Sequence, residues 1–213
     1  MKALRVHAGL AAVLCFLTHA RRAVAEDTPP NDTEYFQYGV AVVAEAALSG
    51  GDVCPTDTVE PCILGSGGGL AIRVGYRARD PWYFGGAYEF SRHESSNLLK
   101  LGVLQQVRAE GRYYFDRGQR ATGFLAGGFG LHLYGSEWSA ETGGGLATLG
   151  GGVEFQISAT TVVGGAVMYR LLVPRAWTDS AGVRRADRLL GFGVAHLLAL
   201  EFTIEVREPL PRW

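Results

Sequence analysis

The chain has 213 residues, with 20 lysines and arginines against 21 acidic residues, and 47% of its residues are hydrophobic. No stripe of excess basic charge remains after the N-terminal segment, which excludes the electrostatic footprint of a nucleic-acid-binding protein. The 30 glycines do not follow the three-residue period of collagen. The composition therefore predicts a folded chain with room for one domain of ordinary size.

Residues 1–25 have the layout of a secretory signal peptide. Lys2 and Arg5 give a positive start, and the short apolar run Ala8 to Leu17 follows them. Ala23 to Ala25 then forms a small-x-small cleavage site before Glu26. The alternative for this segment is a buried N-terminal helix. Cleavage at this site would leave 16 basic against 21 acidic residues, so we expect an exported chain with a net charge of −5.

Two of the three cysteines lie outside the expected signal peptide. Cys54 and Cys62 flank the polar loop PTDTVEP, whereas Cys15 would leave with the signal. A cysteine pair in an exported chain favours a disulfide bond. Metal binding is disfavoured because no further cysteine or histidine lies near the pair. No metal site and no cofactor are expected.

After residue 34 the chain alternates apolar residues with glycine, polar and charged residues at a period of two. This periodicity is typical of β-strands with two different faces. Eight such segments occur, and none approaches the 18 consecutive apolar residues of a transmembrane helix. The predicted strands are Tyr35 to Leu48, Gly69 to Arg79, Trp82 to Ser91, Leu98 to Phe115, Ala121 to Gly135, Leu146 to Ile157, Thr161 to Val173 and Leu190 to Val206.

Charged residues keep to one face of these strands. The apolar faces carry none, unless His196 is charged, and His196 is expected near a membrane interface. Each residue of a strand points to one of only two faces, so a random distribution would put charges on both. Their restriction to one face indicates that the two faces meet different surroundings. The charges on the mixed faces are Glu45, Arg73, Arg77, Arg79, Glu89, Lys100, Arg108, Glu110, Arg112, Glu154, Arg170, Glu201 and Glu205.

Short and long connections alternate along the chain. Eight strands with short turns at one end and longer loops at the other predict an all-β fold, an eight-stranded antiparallel transmembrane up-and-down β-barrel. The expected barrel covers 35–207, after an N-terminal extension at 26–34 and before a tail at 208–213. The rival fold is a soluble lipocalin-like barrel, which would turn its apolar residues inward. The short turns are 79–81, 116–120 and 158–160, and the long loops are 49–66, 92–97, 136–145 and 174–187.

A barrel of eight strands has an interior only wide enough for side chains, and glycines on the inner face would make room for them. Buried charges must be paired, and seven inward basic residues face six inward glutamates. We therefore expect a lumen filled with ion pairs rather than a channel lining, with Glu45 contacting an arginine of the second strand and Glu154 contacting Arg170. The predicted network comprises Glu45, Arg73, Arg77, Glu89, Arg108, Glu110, Arg112, Glu154, Arg170 and Glu201.

The stretch LQQVRAEGRYYFDRGQRATGFLAGGFGL, Leu104 to Leu131, resembles a hairpin of small outer-membrane proteins of Gram-negative bacteria. There, an RYYF strand end, a short polar turn and a GxGxGL-like strand recur, and Arg112 to Phe115 and Gly127 to Leu131 match that pattern. The layout of the chain is similar to the OmpA transmembrane domain and to OmpX-like barrels. One departure is that REPLPR separates the final Trp213 from the last strand, where such barrels end on an aromatic residue; Phe202 is the in-strand substitute.

The resemblance implies a monomer in the cell outer membrane that contacts membrane lipid, lipopolysaccharide and the outer-membrane assembly machinery, but no nucleic acid. We expect a non-enzymatic protein that serves envelope integrity or surface interaction. The alternatives are a small channel or carrier of hydrophobic molecules, and a lipid A-modifying enzyme. The segment RHESSN loosely resembles the His-x-Ser-Asn site of outer-membrane lipid A deacylases, but His93, Ser95 and Ser96 are expected in a solvated loop.

Overall fold

The computed structural model describes residues 33–54, 62–96, 99, 101–115, 120–137, 139–178, 182, 184–185 and 192–210. The predicted signal peptide, Lys100 and Trp213 lie outside these residues. Within the described part of the chain, no helix is long and apolar enough to cross a bilayer.

Eight long antiparallel strands form a closed barrel. Its strand order is β1-β10-β7-β6-β5-β4-β3-β2, and β2 pairs back to β1. A 3-10 helix at Gly51–Val53 and the two-residue strands β8 (Trp177–Thr178) and β9 (Arg184–Arg185) lie in the loops. The barrel strands are β1 (Tyr35–Ser49), β2 (Gly67–Arg77), β3 (Trp82–His93), β4 (Gly102–Tyr114), β5 (Ala121–Ser136), β6 (Ser139–Gln156), β7 (Thr161–Pro174) and β10 (Ala195–Pro209).

Closure is made by β1, which pairs with β10 on one side and β2 on the other. Tyr35 lies opposite both Pro209 and Arg77 in the two registers. A closed sheet has no free edge, so its backbone groups find partners within the sheet, as a bilayer interior requires. β10 runs to Pro209, two residues past the predicted barrel end at 207.

The apolar faces of the strands point outward. Phe129, Leu149 and Phe202 are 73%, 67% and 67% exposed, whereas Arg170 inside the barrel is 0% exposed. A contiguous exposed surface of this kind is not compatible with water on the outside of a monomer. The arrangement excludes the soluble lipocalin-like alternative, because there the apolar side chains would fill the interior.

The β5–β6 connection is a tight turn rather than the predicted long loop at 136–145. β6 begins at Ser139, which lies opposite Ser136, and Glu137 between them adopts a positive φ of 55°. With 16 and 18 residues, β5 and β6 exceed the roughly 9–11 residues that a tilted strand needs to span a bilayer. The hairpin therefore extends beyond the membrane at the end that carries the longer loops.

Two inward glycines make room for an aromatic ring. Gly75 and Gly85 lie opposite each other on β2 and β3, and a Cβ on either would overlap the Tyr83 phenol. Tyr83 is only 1% exposed, and the guanidinium of Arg112 lies 4.8 Å from its ring centre. Glycine at these positions thus allows a tyrosine and an arginine to share one level of a narrow lumen.

Candidate functional site in the barrel lumen

The lumen is crossed at its upper level, nearer the longer loops, by the guanidinium of Arg170 on β7. Its Nη1 atom lies 2.5 Å from Glu45 and 2.6 Å from Glu89, and its Nη2 atom lies 2.9 Å from Glu89 and 2.5 Å from Glu201. The three carboxylates come from β1, β3 and β10. One buried arginine therefore ties four strands together.

A middle level continues the same network from β2 and β4. Arg108 contacts Glu89 at 2.9 Å and Glu201 at 3.2 Å, so it shares both acids with the upper level. Arg73 pairs with Glu201 and lies 3.5 Å from Glu110. Arg112 contacts Glu110 at 3.1 Å and Glu205 at 2.9 Å.

Glu154 anchors the lower level, near the short turns. It accepts hydrogen bonds from Arg77 at 2.9 Å, from the Tyr114 hydroxyl at 3.0 Å, and from Arg207. Gln37 connects this level to the one above, because its amide donates to Glu205 and accepts from Arg207 Nε at 3.1 Å. Ion pairs and hydrogen bonds therefore run along most of the barrel interior.

His93 is the last residue of β3 and points into the lumen, which corrects its predicted place in a solvated loop. It is 3% exposed, with Nε2 2.8 Å from Glu45 and 3.1 Å from the Ser91 hydroxyl, and Nδ1 2.9 Å from the Gly65 carbonyl. A carboxylate and a carbonyl only accept hydrogen bonds, so this arrangement suits an imidazolium that donates from both nitrogens.

The upper and middle levels contain one more carboxylate than guanidinium within the described residues, whereas the lower level contains one more guanidinium than carboxylate, because Arg77 and Arg207 share Glu154. The described carboxylates and guanidiniums of the lumen therefore balance as a whole, and a charged His93 offsets the extra carboxylate of the upper and middle levels locally. The low polarity of the interior makes such balance important, because an uncompensated charge is costly there. The carboxylates are Glu45, Glu89, Glu110, Glu201 and Glu205, and the guanidiniums are Arg73, Arg108, Arg112 and Arg170.

All ten residues of the predicted network lie in ion pairs inside the barrel, but two expected pairs do not form. Glu154 does not contact Arg170, because the register places Arg170 opposite Thr148, six residues or about 20 Å along β6 from Glu154. Glu45 lies opposite Gly67, and its basic partners are Arg170 and His93 rather than an arginine of β2.

The structure also differs from the predicted set of inward charges and from the predicted network. Arg79 lies beyond the end of β2, is 57% exposed as a side chain, and pairs with Glu34 at 3.0 Å outside the lumen. Glu205, Arg207 and Gln37 are buried members that the predicted network did not include, although Glu205 was predicted on an inward face. Arg207 continues the inward series of Glu201 and Glu205, so extending the last strand by one inward position would have found it.

A hydrophobic plug closes the lumen at the end with the longer loops. We define it as the loop residues Val53, Ile63, Leu64 and Leu99, which pack in one buried cluster against the barrel wall. The Cys54–Cys62 disulfide joins the residue after Val53 to the residue before Ile63, and so holds these two plug residues close together. The wall residues of this cluster are Leu104, Tyr134, Leu146, Leu172, Ala195 and Leu197.

Side-chain hydrogen bonds to the backbone of residues 63 and 65 hold the plug above the charged network. The Tyr134 hydroxyl donates to the Ile63 carbonyl, and His93 contacts the carbonyl of Gly65. Below it, a cavity beside Arg73, Glu110 and Arg112 has a volume of about 10 Å³, which is at most the space of a single water molecule. The described lumen is thus occupied by side chains at every level.

Solved structures of membrane proteins share this architecture. Neisserial surface protein A matches with a TM-score of 0.51 and 16% identity over 84% of this chain and 99% of its own. The outer-membrane protein AlkL matches with a TM-score of 0.53 and 11% identity, over 90% and 98%. The Pseudomonas aeruginosa outer-membrane protein OprG matches with a TM-score of 0.52 and 8% identity, over 84% and 98%.

The protein has the eight-stranded β-barrel fold of these outer-membrane proteins. The closed sheet, the apolar exterior and the charged interior all agree with that fold. No protein-family model matches the barrel, and no curated protein matches it. The similarity to the solved structures, at 8–16% identity, therefore concerns the fold and not the function of the barrel.

The serines of RHESSN do not form a nucleophile–base pair with His93. Ser95 Oγ donates to the Leu99 carbonyl at 3.2 Å, and Ser96 Oγ donates to the Cys62 carbonyl at 2.7 Å. Ser91 does contact His93, but Glu45 approaches the same ring nitrogen, whereas a catalytic triad places its carboxylate on the other one. Among the described residues, no group of three or more His, Cys, Asp or Glu side chains could hold a metal ion.

Proposed function

We propose that this barrel is a closed, non-enzymatic outer-membrane protein that serves envelope integrity or surface interaction through the parts it presents outside the membrane. The observation that carries the proposal is the lumen, which is filled by ion pairs and then covered by the hydrophobic plug. A protein without an open passage acts through its surfaces.

The ion pairs support a closed lumen because they join opposite walls. Arg112 on β4 contacts Glu205 on β10, and Arg77 on β2 contacts Glu154 on β6. Each pair links strands four positions apart in the ring of eight. A passing ion or solute would have to separate such pairs, and leaving one buried charge without its partner costs about 3–5 kcal/mol.

The β5–β6 hairpin supports a role at the surface. Its strands have about five to seven residues more than a membrane-spanning strand needs, which corresponds to about 20 Å along the strand. The exposed arginines Arg175 and Arg184 lie at the same end of the barrel. Together with the exposed Glu137 at the hairpin turn, these elements form a raised surface with charges of both signs that a partner could contact.

A planar-bilayer recording tests the proposal directly. The purified barrel should give no current steps in 1 M KCl, while a 16-stranded porin in the same bilayer gives them. Arg170→Ser is the matched variant, because it removes the arginine that ties four strands together at the upper level. Steady steps in the unmodified protein that increase in Arg170→Ser would show conduction through the lumen and replace the proposal with the small-channel alternative.

A further inference from the structure

Arg92 is the only lysine or arginine that faces outward on the eight barrel strands, within the described residues. It is exposed, and its neighbours Phe90 and Tyr88 on the same face of β3 point to the membrane side. The side chain of Arg92 makes no hydrogen bond or ion pair with another described residue, while its backbone pairs with Gly68 and Val103 in the sheet. A cation on an otherwise apolar outer face is costly inside hydrocarbon, so its height along the strand matters.

The position of Arg92 along β3 places it at the outer boundary of the membrane. Trp82 begins β3 at the end with the short turns, and Arg92 lies ten residues further along the strand. Ten residues span about 33 Å along a strand, or about 25 Å vertically at a tilt of about 40°, which equals the apolar band of such barrels. Trp82 and Arg92 therefore mark the two interfaces, and the Arg92 guanidinium lies at the level of lipid headgroups.

A surface cleft of about 690 Å³ opens beside Arg92. Ser66, Gly67 and Gly68 form one side of it, and Glu94 and Ser96 form another. The glycines leave the backbone uncovered, and Ser66 adds a hydroxyl group. Below the cleft on the same outer face, Leu70 and Tyr88 are 64% and 39% exposed and continue into the apolar band.

We propose that Arg92 and this cleft bind the phosphate of an acylated, phosphate-bearing lipid of the outer leaflet. Arginine is suited to phosphate because its planar guanidinium donates two parallel hydrogen bonds. The acyl chains of the lipid lie against the apolar strip that begins at Leu70. Lipid binding at this site does not depend on a closed lumen. The test of this site and the test of the proposed function can therefore have different outcomes.

Glu94 allows a second test of the proposal, because its side chain lines the same cleft and its carboxylate repels a phosphate. Replacing it with glutamine should therefore strengthen binding when no divalent cation is present to bridge the two anions. A simple interfacial anchor, whose guanidinium only reaches into water, would respond neither to Glu94→Gln nor to the phosphate of the lipid.

The test titrates the full-length mature barrel in detergent, with EDTA, against diphosphoryl lipid A, and follows bound lipid by native mass spectrometry. Arg92→Gln should weaken binding by about tenfold, the effect of one charge-assisted hydrogen bond. Arg92→Lys should lose less, and Glu94→Gln should bind more tightly. Arg184→Gln is the matched control, since it removes an exposed arginine of a loop outside the cleft. The mobility shift between boiled and unboiled gel samples verifies that each variant is folded.

Two further arms identify the source of the phosphate. Dephosphorylated lipid A should bind as weakly to the unmodified barrel as lipid A does to Arg92→Gln, and millimolar inorganic phosphate should not displace the lipid. Equal binding of phosphorylated and dephosphorylated lipid would overturn the proposal. The same conclusion follows if Arg184→Gln loses as much binding as Arg92→Gln, because the attraction would then be nonspecific.

Discussion

The guanidinium of Arg170 on β7 lies 2.6 Å from the carboxylate of Glu89 on β3, and these strands stand on opposite sides of the ring. Both side chains are 0% exposed. The pair therefore braces the barrel across its diameter, a contact that neither adjacent strand pairing nor any local turn could provide.

Arg170→Met should lower the free energy of unfolding by about 3–5 kcal/mol, because it leaves the buried carboxylates of Glu45, Glu89 and Glu201 short of a partner. Urea titration in detergent, followed by the mobility of unboiled samples, measures the change. Arg79→Met is the matched control, since the exposed Arg79–Glu34 pair is worth about 1 kcal/mol or less. Equal losses for the two variants would mean that the Arg170 contacts do not stabilise the barrel.

Glu154→Ala should also destabilise the barrel strongly, since it leaves Arg77 and Arg207 both without a carboxylate. Adding Arg207→Met should recover part of the loss, with a coupling of about 0.5–3 kcal/mol in a double-mutant cycle. Adding Arg170→Met should instead be additive, because Arg170 on β7 lies opposite Thr148, which is about 20 Å from Glu154 along β6. Coupling to Arg170 but not to Arg207 would contradict the register of β6 and β7.

The Cys54–Cys62 disulfide should leave no reactive thiol in the denatured, unreduced mature protein, and two after reduction. Replacing both cysteines with serine should destabilise the plug, with an upper value of about 2–3 kcal/mol from the entropy of closing so short a loop. Thiol counting with a chromogenic reagent measures the first quantity. Two thiols before reduction would show that the pair is not bridged.

Leu64→Asp should expel the plug segment from the mouth of the barrel, because it places an unpaired carboxylate in the buried cluster around Val53 and Leu104. Hydrogen exchange at the backbone of residues 62–65 should become faster in the folded barrel. Ser66→Asp, at an exposed position two residues later, should leave this exchange unchanged. Unchanged protection in Leu64→Asp would show that the segment does not depend on its apolar contacts.

Lipid A from cells that overproduce the barrel should keep its full number of acyl chains, because His93 is buried and neither Ser95 nor Ser96 contacts it. Mass spectrometry of extracted lipid A measures the acyl count. Ser95→Ala and Ser96→Ala should give the same spectrum as the unmodified protein. Loss of a chain that either substitution abolishes would restore the deacylase alternative.

Pleat parity is a local property, and for that reason the sequence by itself determined most of the fold. Apolar residues such as Leu70 and Ile72 alternate with Arg73 and Gly75 regardless of which strands pair with theirs. This alternation alone decides which face of the strand meets lipid. The alternation of short and long connections then sufficed for an up-and-down barrel. The limits of strands were less certain, because a strand end depends on pairing. His93 and Arg207 were lost from the predicted network in this way.

Only the tertiary structure decided which charges meet. Contacts between Arg170 and Glu89, or between Arg112 and Glu205, join opposite strands whose relative heights follow from the tilt and stagger of the closed sheet. Adjacency in sequence suggested Glu154 with Arg170 instead, since a short turn joins their strands. The plug was equally out of reach, because Val53, Ile63 and Leu99 come from two loops that meet only when the closed barrel provides a mouth to fill. Long arginine side chains reach across a lumen, so their partners are set by three-dimensional closure rather than by the order of residues along the chain.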